Sequence, residues 1–230
     1  MNNIVLGNSS HLKSAVAVIK STNGVPFKSI LSEQNIKKEI EKIDYRPRYN
    51  YYPPEMTLWL MLSQVLGNET QDKSVSRLIA HYADTNQEIP SSNTSAFSQA
   101  RSKLPENLLS DLARDASKQM EENEEMEKFT FLGHPIKFMD GTTVSMPDTA
   151  ENQGTYPQPA TQKVGVGFPL ARLVTITSFS SGMVLDLAIG PYSGKGTGEH
   201  ALLRSLLHNF KKDDLVIADA YYASFFLLHI

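Results

Sequence analysis

The sequence predicts an α+β fold, in which a helical N-terminal region precedes a domain built on a mixed β-sheet. Apolar residues recur at helical spacing as far as about residue 120, which favours amphipathic helices. Beyond about residue 130 the pattern changes to short runs of β-branched and aromatic residues, which favours strands. The 230 residues, 40% of them hydrophobic and 20% charged, are enough for one large domain or two small ones.

Composition excludes several classes of protein. The chain has no Cys, so a disulfide scaffold, a thiolate metal site and a Cys nucleophile are excluded. No apolar run approaches the roughly 18 residues of a membrane span, and no basic segment followed by an apolar block begins the chain. We therefore expect a cytoplasmic protein without a membrane partner. The formal net charge of −3 provides no general attraction to DNA, so DNA binding would depend on local basic patches.

The helical region is predicted to contain five helices. Their starts are indicated by capping residues or by residues suited to a first turn: Ser32, Pro54, Asp72, Thr94 and Pro105. The last helix leads into an acidic stretch over residues 121–127, which indicates a linker or a solvated face. Residues 51–130 are therefore assigned as a helical region that could bind DNA. Residues 1–50 carry little pattern and are poorly assigned.

The sheet domain is predicted over residues 131–230. Its extended segments are 137–140, 142–145, 173–179, 183–189 and 214–219. A long loop over 147–171 separates the first two from the others. A helix over 199–210 precedes the last strand, which is apolar and predicted to be buried, and another helix begins at Tyr221. Because this crossover returns the chain to a place beside the first strand, the order matches a ribonuclease H-like architecture.

Two aspartates lie where two of these strands would meet. Asp140 is on the first strand, and Asp219 ends the last one. Adjacent strands are about 4.8 Å apart, so the two carboxylates could share a divalent cation, which prefers oxygen ligands. Two such ions about 3.5–4 Å apart would stabilise the attacking and leaving oxygens of an in-line phosphoryl transfer. An Asp after a strand also occurs as a loop or cap residue, and spacing alone leaves both interpretations open.

Several segments resemble the DDE transposases of the insertion-sequence-four family. Residues 140–149, DGTTVSMPDT, resemble the first catalytic block, and residues 214–219 with Tyr221 and Tyr222 resemble the second. Further similar segments occupy residues 54–60, 98–105, 165–172 and 189–200. The resemblance covers residues from about 50 to 230. It implies that residues 131–230 form a partial ribonuclease H-like DDE catalytic domain.

The resemblance implies a transposase that binds inverted-repeat ends and target DNA as a homodimer, in the bacterial cytoplasm and in association with the nucleoid. It implies DNA cleavage by water, followed by joining of the free 3′ end to target DNA. Two magnesium or manganese ions would be held by an Asp, Asp and Glu set. Asp140 is similar to the first of these acids and Asp219 to the second, so both would be catalytic residues and metal ligands.

The third acid of that set is missing from its expected position, because no Asp or Glu follows Asp219. The resemblance therefore implies an incomplete catalytic domain, as in a truncated copy, which is inactive by itself. Glu199, at the start of a predicted helix, is the internal candidate for an additional acid, and it also suits the positive end of the helix dipole. Asp186, in the middle of a strand, is predicted to occupy a polar edge.

Basic residues near the predicted site are candidates for contacts with DNA phosphates: Lys163, Arg172, Lys195 and Arg204. Scattered surface cations are the alternative interpretation. The sequence thus leaves three functions open. The first is a transposase. The second is a catalytically inactive DNA-end-binding or dimerising fragment that acts as an inhibitor. The third is a ribonuclease H-like nuclease unrelated to transposition.

Overall fold

The computed structural model describes residues 31–47, 51–122 and 129–223. It divides into two compact units, Met1–Leu112 and Ala113–Ile230. Most of the N-terminal segment 1–50 and of the acidic stretch 121–127 lies outside the described residues, as does the predicted helix after Tyr221 from residue 224 onward. Helices followed by a mixed sheet make up the described residues, so the predicted α+β class is confirmed.

The described part of the first unit consists of helices. These are α1 (Glu33–Glu41), α2 (Pro54–Gly67), α3 (Gln71–Asp84), α4 (Ser95–Ser102) and the first turns of α5 (Glu106–Glu121). As predicted, Ser32 caps α1, because its hydroxyl accepts a hydrogen bond from the Asn35 N–H at 3.1 Å. The cap of α3 is Thr70, whose hydroxyl accepts from the Lys73 N–H at 3.4 Å. The prediction of Asp72 as that cap is wrong, since Asp72 lies in the first turn, where its charge suits the helix dipole.

Apolar side chains from these helices pack into one core. Trp59 is buried, and its indole N–H donates to the Leu31 carbonyl at 3.0 Å. Phe97 is fully buried, with its ring centre 5.8 Å from that of Tyr52. Other buried members of the cluster are Ile36, Val75, Leu78 and Leu108. In α1, α3 and α5 the buried positions recur at helical spacing, which explains why the sequence period predicted these helices.

The second unit is built on a sheet, which has five strands in the described residues. They are β1 (Thr130–Phe131), β2 (His134–Ser145), β3 (Leu170–Ser178), β4 (Val184–Pro191) and β5 (Leu215–Ala218). β1 to β4 are antiparallel neighbours in chain order, and β5 pairs with β2 in parallel, as the crossover requires. The two extended segments predicted within 137–145 form one continuous strand, β2. The predicted loop 147–171 contains a short helix, α6 (Ala150–Thr155), capped by the Thr149 hydroxyl.

One face of the sheet packs against helix α7 (Glu199–Leu206), which a short 3-10 turn (Leu207–Asn209) follows. The buried cluster on this face consists of Met139, Val174, Ile176, Leu203, Leu206 and Tyr222. On the opposite face, apolar side chains stay accessible: Phe138 is 37% exposed, Leu187 48% and Ile217 45%. Alternation along the strands β2, β3 and β4 therefore separates a covered face from an accessible one.

Strand β5 is accessible, so the prediction that it is buried is wrong. Leu215, Val216 and Ile217 are 38%, 40% and 45% exposed. Within the described residues, β5 pairs with β2 alone, which leaves its other side without a neighbouring strand. Four consecutive apolar residues indicated burial, but burial depends on the elements that pack against the strand, and the strand's own sequence does not contain that information.

Candidate functional site

The parallel pairing of β2 with β5 determines where the two aspartates lie. The last pair in register is Met139 with Ala218, so Asp140 and Asp219 occupy the next position on the two neighbouring chains. Both side chains are exposed. Asp140 Oδ1 accepts from the Gly141 N–H at 2.8 Å, and Asp219 Oδ1 accepts from the Tyr221 N–H at 2.8 Å. Each aspartate thus has one oxygen bonded to a local amide, and its second oxygen has no hydrogen-bond partner among the residues that the structure describes.

Glu199 reaches β2 at the residue after Asp140. It opens α7, where Gly198 occupies the cap position without a side-chain hydrogen bond. A Cβ atom placed on Gly141 would lie 2.6 Å from Glu199 Cδ and 2.7 Å from the Tyr222 hydroxyl oxygen. Any larger residue at 141 would therefore collide with both groups, and Gly141 provides the space in which they meet.

The Tyr222 hydroxyl donates a hydrogen bond to Glu199 Oε2 at 2.9 Å. Burial, the hydrogen bond to Glu199 and the negative charges of Glu199 and Asp140 raise the pKa of Tyr222 well above its usual value. The phenol therefore stays protonated and remains a donor over the ordinary pH range. Neither Tyr222 nor Gly141 was predicted as a functional residue. Their signals in the sequence are their positions, directly after Asp140 and three residues after Asp219, within the two segments that resemble catalytic blocks.

The four candidate cations have different surroundings. Arg172 donates to the Thr197 carbonyl at 3.1 Å, stacks 4.8 Å from the centre of the Tyr192 ring, and lies with Nε 3.9 Å from Glu199 Oε1. These contacts hold the chain that leads into α7. The other three candidates have exposed side chains: Lys163, Lys195 and Arg204. The structure therefore brings Arg172 to Glu199 and leaves the other three cations accessible to solvent.

Asp186 lies on β4, an edge strand of the described sheet, as its prediction as a polar edge residue requires, but its side chain is buried, which the sequence did not predict. It accepts from Arg114 Nε at 2.9 Å and from Asn209 Nδ2 at 3.1 Å. It pairs in register with Ile176, which places it on the face covered by α7, whereas Asp140 pairs with Thr175 on the accessible face. The sequence could not reveal this role, because its partners are 72 and 23 residues away along the chain.

The donor chemistry of the aspartate pair fits a hard divalent cation, which binds oxygen ligands. Among the residues that the structure describes, no group of three or more His, Cys, Asp or Glu side chains is arranged to hold a metal ion. The geometry therefore supports two oxygen-donating side chains, Asp140 and Asp219, and does not add Glu199 to them.

Part of the chain matches a known protein family. Residues 132–228 match the family model described as transposase DDE domain, and this region contains Asp140, Glu199 and Asp219. The match supports a DDE transposase, a class of protein that acts on DNA and generally uses divalent metal ions. Neither the curated proteins nor the solved structures contain a significant match. In the described residues, each helix is too short or too polar to cross a membrane.

Proposed function

We propose that this chain is a transposase of an insertion sequence of the insertion-sequence-four family, which binds element-end DNA and catalyses metal-dependent cleavage and strand transfer. The observation that carries the proposal is that Asp140, within β2, and Asp219, directly after β5, follow the last residue pair of these two parallel neighbouring strands. These strands lie inside the region that matches a transposase DDE domain. The sheet order β5-β2-β3-β4, with α7 on one face, supports a ribonuclease H-like architecture for this region.

Asp140 and Asp219 are proposed as the catalytic pair. The second oxygen of each carboxylate would bind magnesium or manganese, and the exposure of both side chains leaves room for a DNA phosphate. A bound divalent ion supplies positive charge that stabilises the transferring phosphate and activates the attacking oxygen. The two aspartates would hold that charge where the pairing of β2 with β5 ends.

DNA phosphates are proposed to contact the exposed cations Lys163, Lys195 and Arg204. Lys195 lies in the glycine-rich segment before α7, where backbone N–H groups are also accessible to a phosphate. Arg172 is less available, because its guanidinium already contacts Thr197, Tyr192 and Glu199. A homodimer on DNA remains part of the proposal by resemblance to the family.

Metal binding tests the aspartate pair directly. Mn²⁺ binding to the whole chain would be measured by electron paramagnetic resonance of the free ion, for the wild type, Asp140→Asn and Asp219→Asn. We expect each variant to bind Mn²⁺ at least about tenfold more weakly, since two carboxylates share the ion. Glu151→Gln, an exposed acid on α6, is the matched control and should bind as the wild type does. Equal affinities in all four proteins would contradict the proposal.

A second candidate function is a catalytically inactive DNA-end-binding or dimerising protein that acts as an inhibitor. It is favoured by the lack of a three-acid group in the described residues. Supercoiled plasmid incubated with the chain and Mn²⁺ separates the two candidates. If the wild type cleaves the plasmid and Asp140→Asn does not, the result supports the transposase. DNA binding without cleavage, unchanged in Asp140→Asn, supports the inhibitor.

A further inference from the structure

We infer that Tyr222 and Glu199 form a positioning pair that fixes Asp219 beside Asp140. Glu199 serves this pair as a hydrogen-bond acceptor and is not itself a metal ligand. The inference rests on the proposed function, in which the two aspartates act together. It concerns residues that the metal-binding proposal does not use, and it can be tested separately.

Asp219 belongs to a short turn that ends at Tyr222. The turn is a single 3-10 helix, Ala220–Tyr222, with Asp219 as its N-cap. The Asp219 carboxylate accepts from the Tyr221 N–H, and its carbonyl accepts from the Tyr222 N–H at 3.0 Å. Asp219 and Tyr222 therefore move as one unit, and fixing Tyr222 also fixes Asp219.

The strand that precedes Asp219 is weakly held. β5 is four residues long and pairs only with β2 among the described strands, and its apolar side chains are 38–45% exposed. Short accessible segments with few packing contacts open at low free energy. An additional anchor after the strand is therefore needed to keep Asp219 at a defined distance from Asp140.

Tyr222 provides that anchor. Only 3% of the residue is exposed, and its ring belongs to the buried cluster that includes Met139 and Leu203. Its hydroxyl reaches Glu199 at the start of α7. Gly141 makes this approach possible, since a Cβ atom there would collide with both partners. The hydrogen bond thus joins the turn after β5 to the start of α7, next to Gly141 of β2.

The position of Glu199 favours an acceptor over a metal ligand. Side chains alternate along β2, so Gly141 faces α7, whereas Asp140, adjacent to it, is on the accessible face. One carboxylate oxygen of Glu199 is bonded to Tyr222, and the other lies 3.9 Å from Arg172 Nε. Glutamine can accept the same bond through its amide oxygen but lacks the charge that a metal ligand supplies. Glu199→Gln therefore distinguishes the two roles.

Amide hydrogen exchange in the full chain, followed by NMR, tests the anchor without any metal. We expect the amides of Tyr221 and Tyr222 to exchange at least about tenfold faster in Tyr222→Phe and Glu199→Ala, since a hydrogen bond to a charged group is lost. Tyr221→Phe is the matched control, because Tyr221 is adjacent and 60% exposed. It and Glu199→Gln should stay within about twofold of the wild type. Unchanged exchange in Tyr222→Phe would overturn the inference.

Mn²⁺ binding by the same variants separates this inference from the proposed function. Weaker binding in Tyr222→Phe and Glu199→Ala, with near-normal binding in Glu199→Gln, supports a positioning pair. If Glu199→Gln weakens Mn²⁺ binding as much as Glu199→Ala does, Glu199 is a metal ligand and the inference is overturned. If Mn²⁺ binding does not depend on Asp140 in any protein, the proposed function fails, and amide exchange still decides whether Tyr222 anchors the turn.

Discussion

The helical unit and the sheet unit bury their apolar residues in different ways. In the helical unit, side chains such as Ile36, Val75 and Phe97 are completely buried in one core. In the sheet unit, one face is equally well buried at Val174 and Ile176, but the other keeps large apolar side chains accessible. Apolar packing therefore accounts for a larger share of the contacts that hold the helical unit together, and the sheet unit depends more on its one covered face.

Polar contacts supplement that face in the sheet unit. Lys137 is buried, and its ammonium group donates to Asp214 Oδ2 at 2.5 Å and to the Asn209 carbonyl at 2.6 Å. Asp186 is bound by Arg114 and Asn209. Both sets connect the covered face to the chain around α7. Removing one partner of such a pair leaves a buried charge, which is costly. The two units should therefore respond differently to the same kind of substitution.

The largest effect is expected in the helical core. Phe97→Ala should lower the free energy of unfolding by about 3–5 kcal/mol, because it removes a completely buried ring and leaves a cavity. Trp59 is the only Trp of the chain and lies in the same core, so its fluorescence during urea denaturation reports on this unit. Val65→Ala, at a side chain 75% exposed, is the control and should change little. If Phe97→Ala lowers the free energy of unfolding by less than about 1 kcal/mol, the helical unit does not depend on apolar packing more than the sheet unit does.

The two faces of the sheet provide the next test. Ile176→Ala, on the covered face, should cost about 2–5 kcal/mol, whereas Leu187→Ala on the accessible face should cost less than about 1 kcal/mol. The two residues lie on the neighbouring strands β3 and β4, so the pair is closely matched. Urea denaturation followed by far-UV circular dichroism measures both. Similar losses would show that the Leu187 face is buried in solution.

This contrast also explains how much of the fold the sequence could predict. Helical spacing predicted the helices, and the strand and crossover order predicted the pairing of β5 with β2. The sequence could not show which face of the sheet would be covered, so it predicted burial for the apolar run 215–218 and did not predict the burial of Asp186. Both discrepancies have the same physical cause, because alternation defines two faces but does not specify what packs on either of them.

The candidate site was predictable to a similar extent. The adjacency of Asp140 and Asp219 follows from strand order, which local pattern and chain connectivity determine. The contact of Tyr222 with Glu199 joins residues 23 apart and depends on the space above Gly141. Such contacts depend on side-chain packing in three dimensions. No periodicity or motif in a single sequence indicates them. The roles of the site residues stay predictions until the variants are measured.

A smaller effect is expected from the polar contacts of the sheet unit. Burial alone raises the pKa of Asp186, but hydrogen bonds from Asn209 and Arg114 outweigh burial and hold it below its usual value. Asp186→Asn should lower the free energy of unfolding at pH 7 by about 1–3 kcal/mol. The pKa of Asp186 is lower in the folded protein than in the unfolded chain, where it is about 3.9. The stabilisation is therefore complete at pH values above the unfolded-state pKa, and it is lost as the pH falls through the folded-state pKa.

Urea denaturation of the wild type and Asp186→Asn at pH 7 and at pH 3 measures this dependence. The difference between the two proteins should shrink at the lower pH, as the wild-type carboxylate becomes protonated. Glu151→Gln, at an exposed acid, should differ little from the wild type at pH 7. A difference that is the same at both pH values would mean that the charge of Asp186 does not contribute to the stability of the sheet unit.

The smallest effect is expected on DNA binding, and it tests which of the two units contacts DNA phosphates. Lys195→Ala should weaken binding to duplex DNA a few-fold, since one phosphate contact is lost. The slope of log affinity against log salt concentration should fall by about 0.9 for that contact. Fluorescence anisotropy with a labelled duplex, over a series of salt concentrations, measures both quantities.

Lys103→Ala removes an exposed cation of the helical unit, and its effect on the salt dependence of DNA binding tests whether that unit contacts phosphates. A reduced slope in Lys195→Ala alone would locate the phosphate contacts in the sheet unit. Equal reductions would show that both units bind the duplex, as the predicted DNA-binding role of residues 51–130 requires. An unchanged slope in Lys195→Ala would contradict the assignment of this lysine, because a neutralised phosphate must release its counterions on binding.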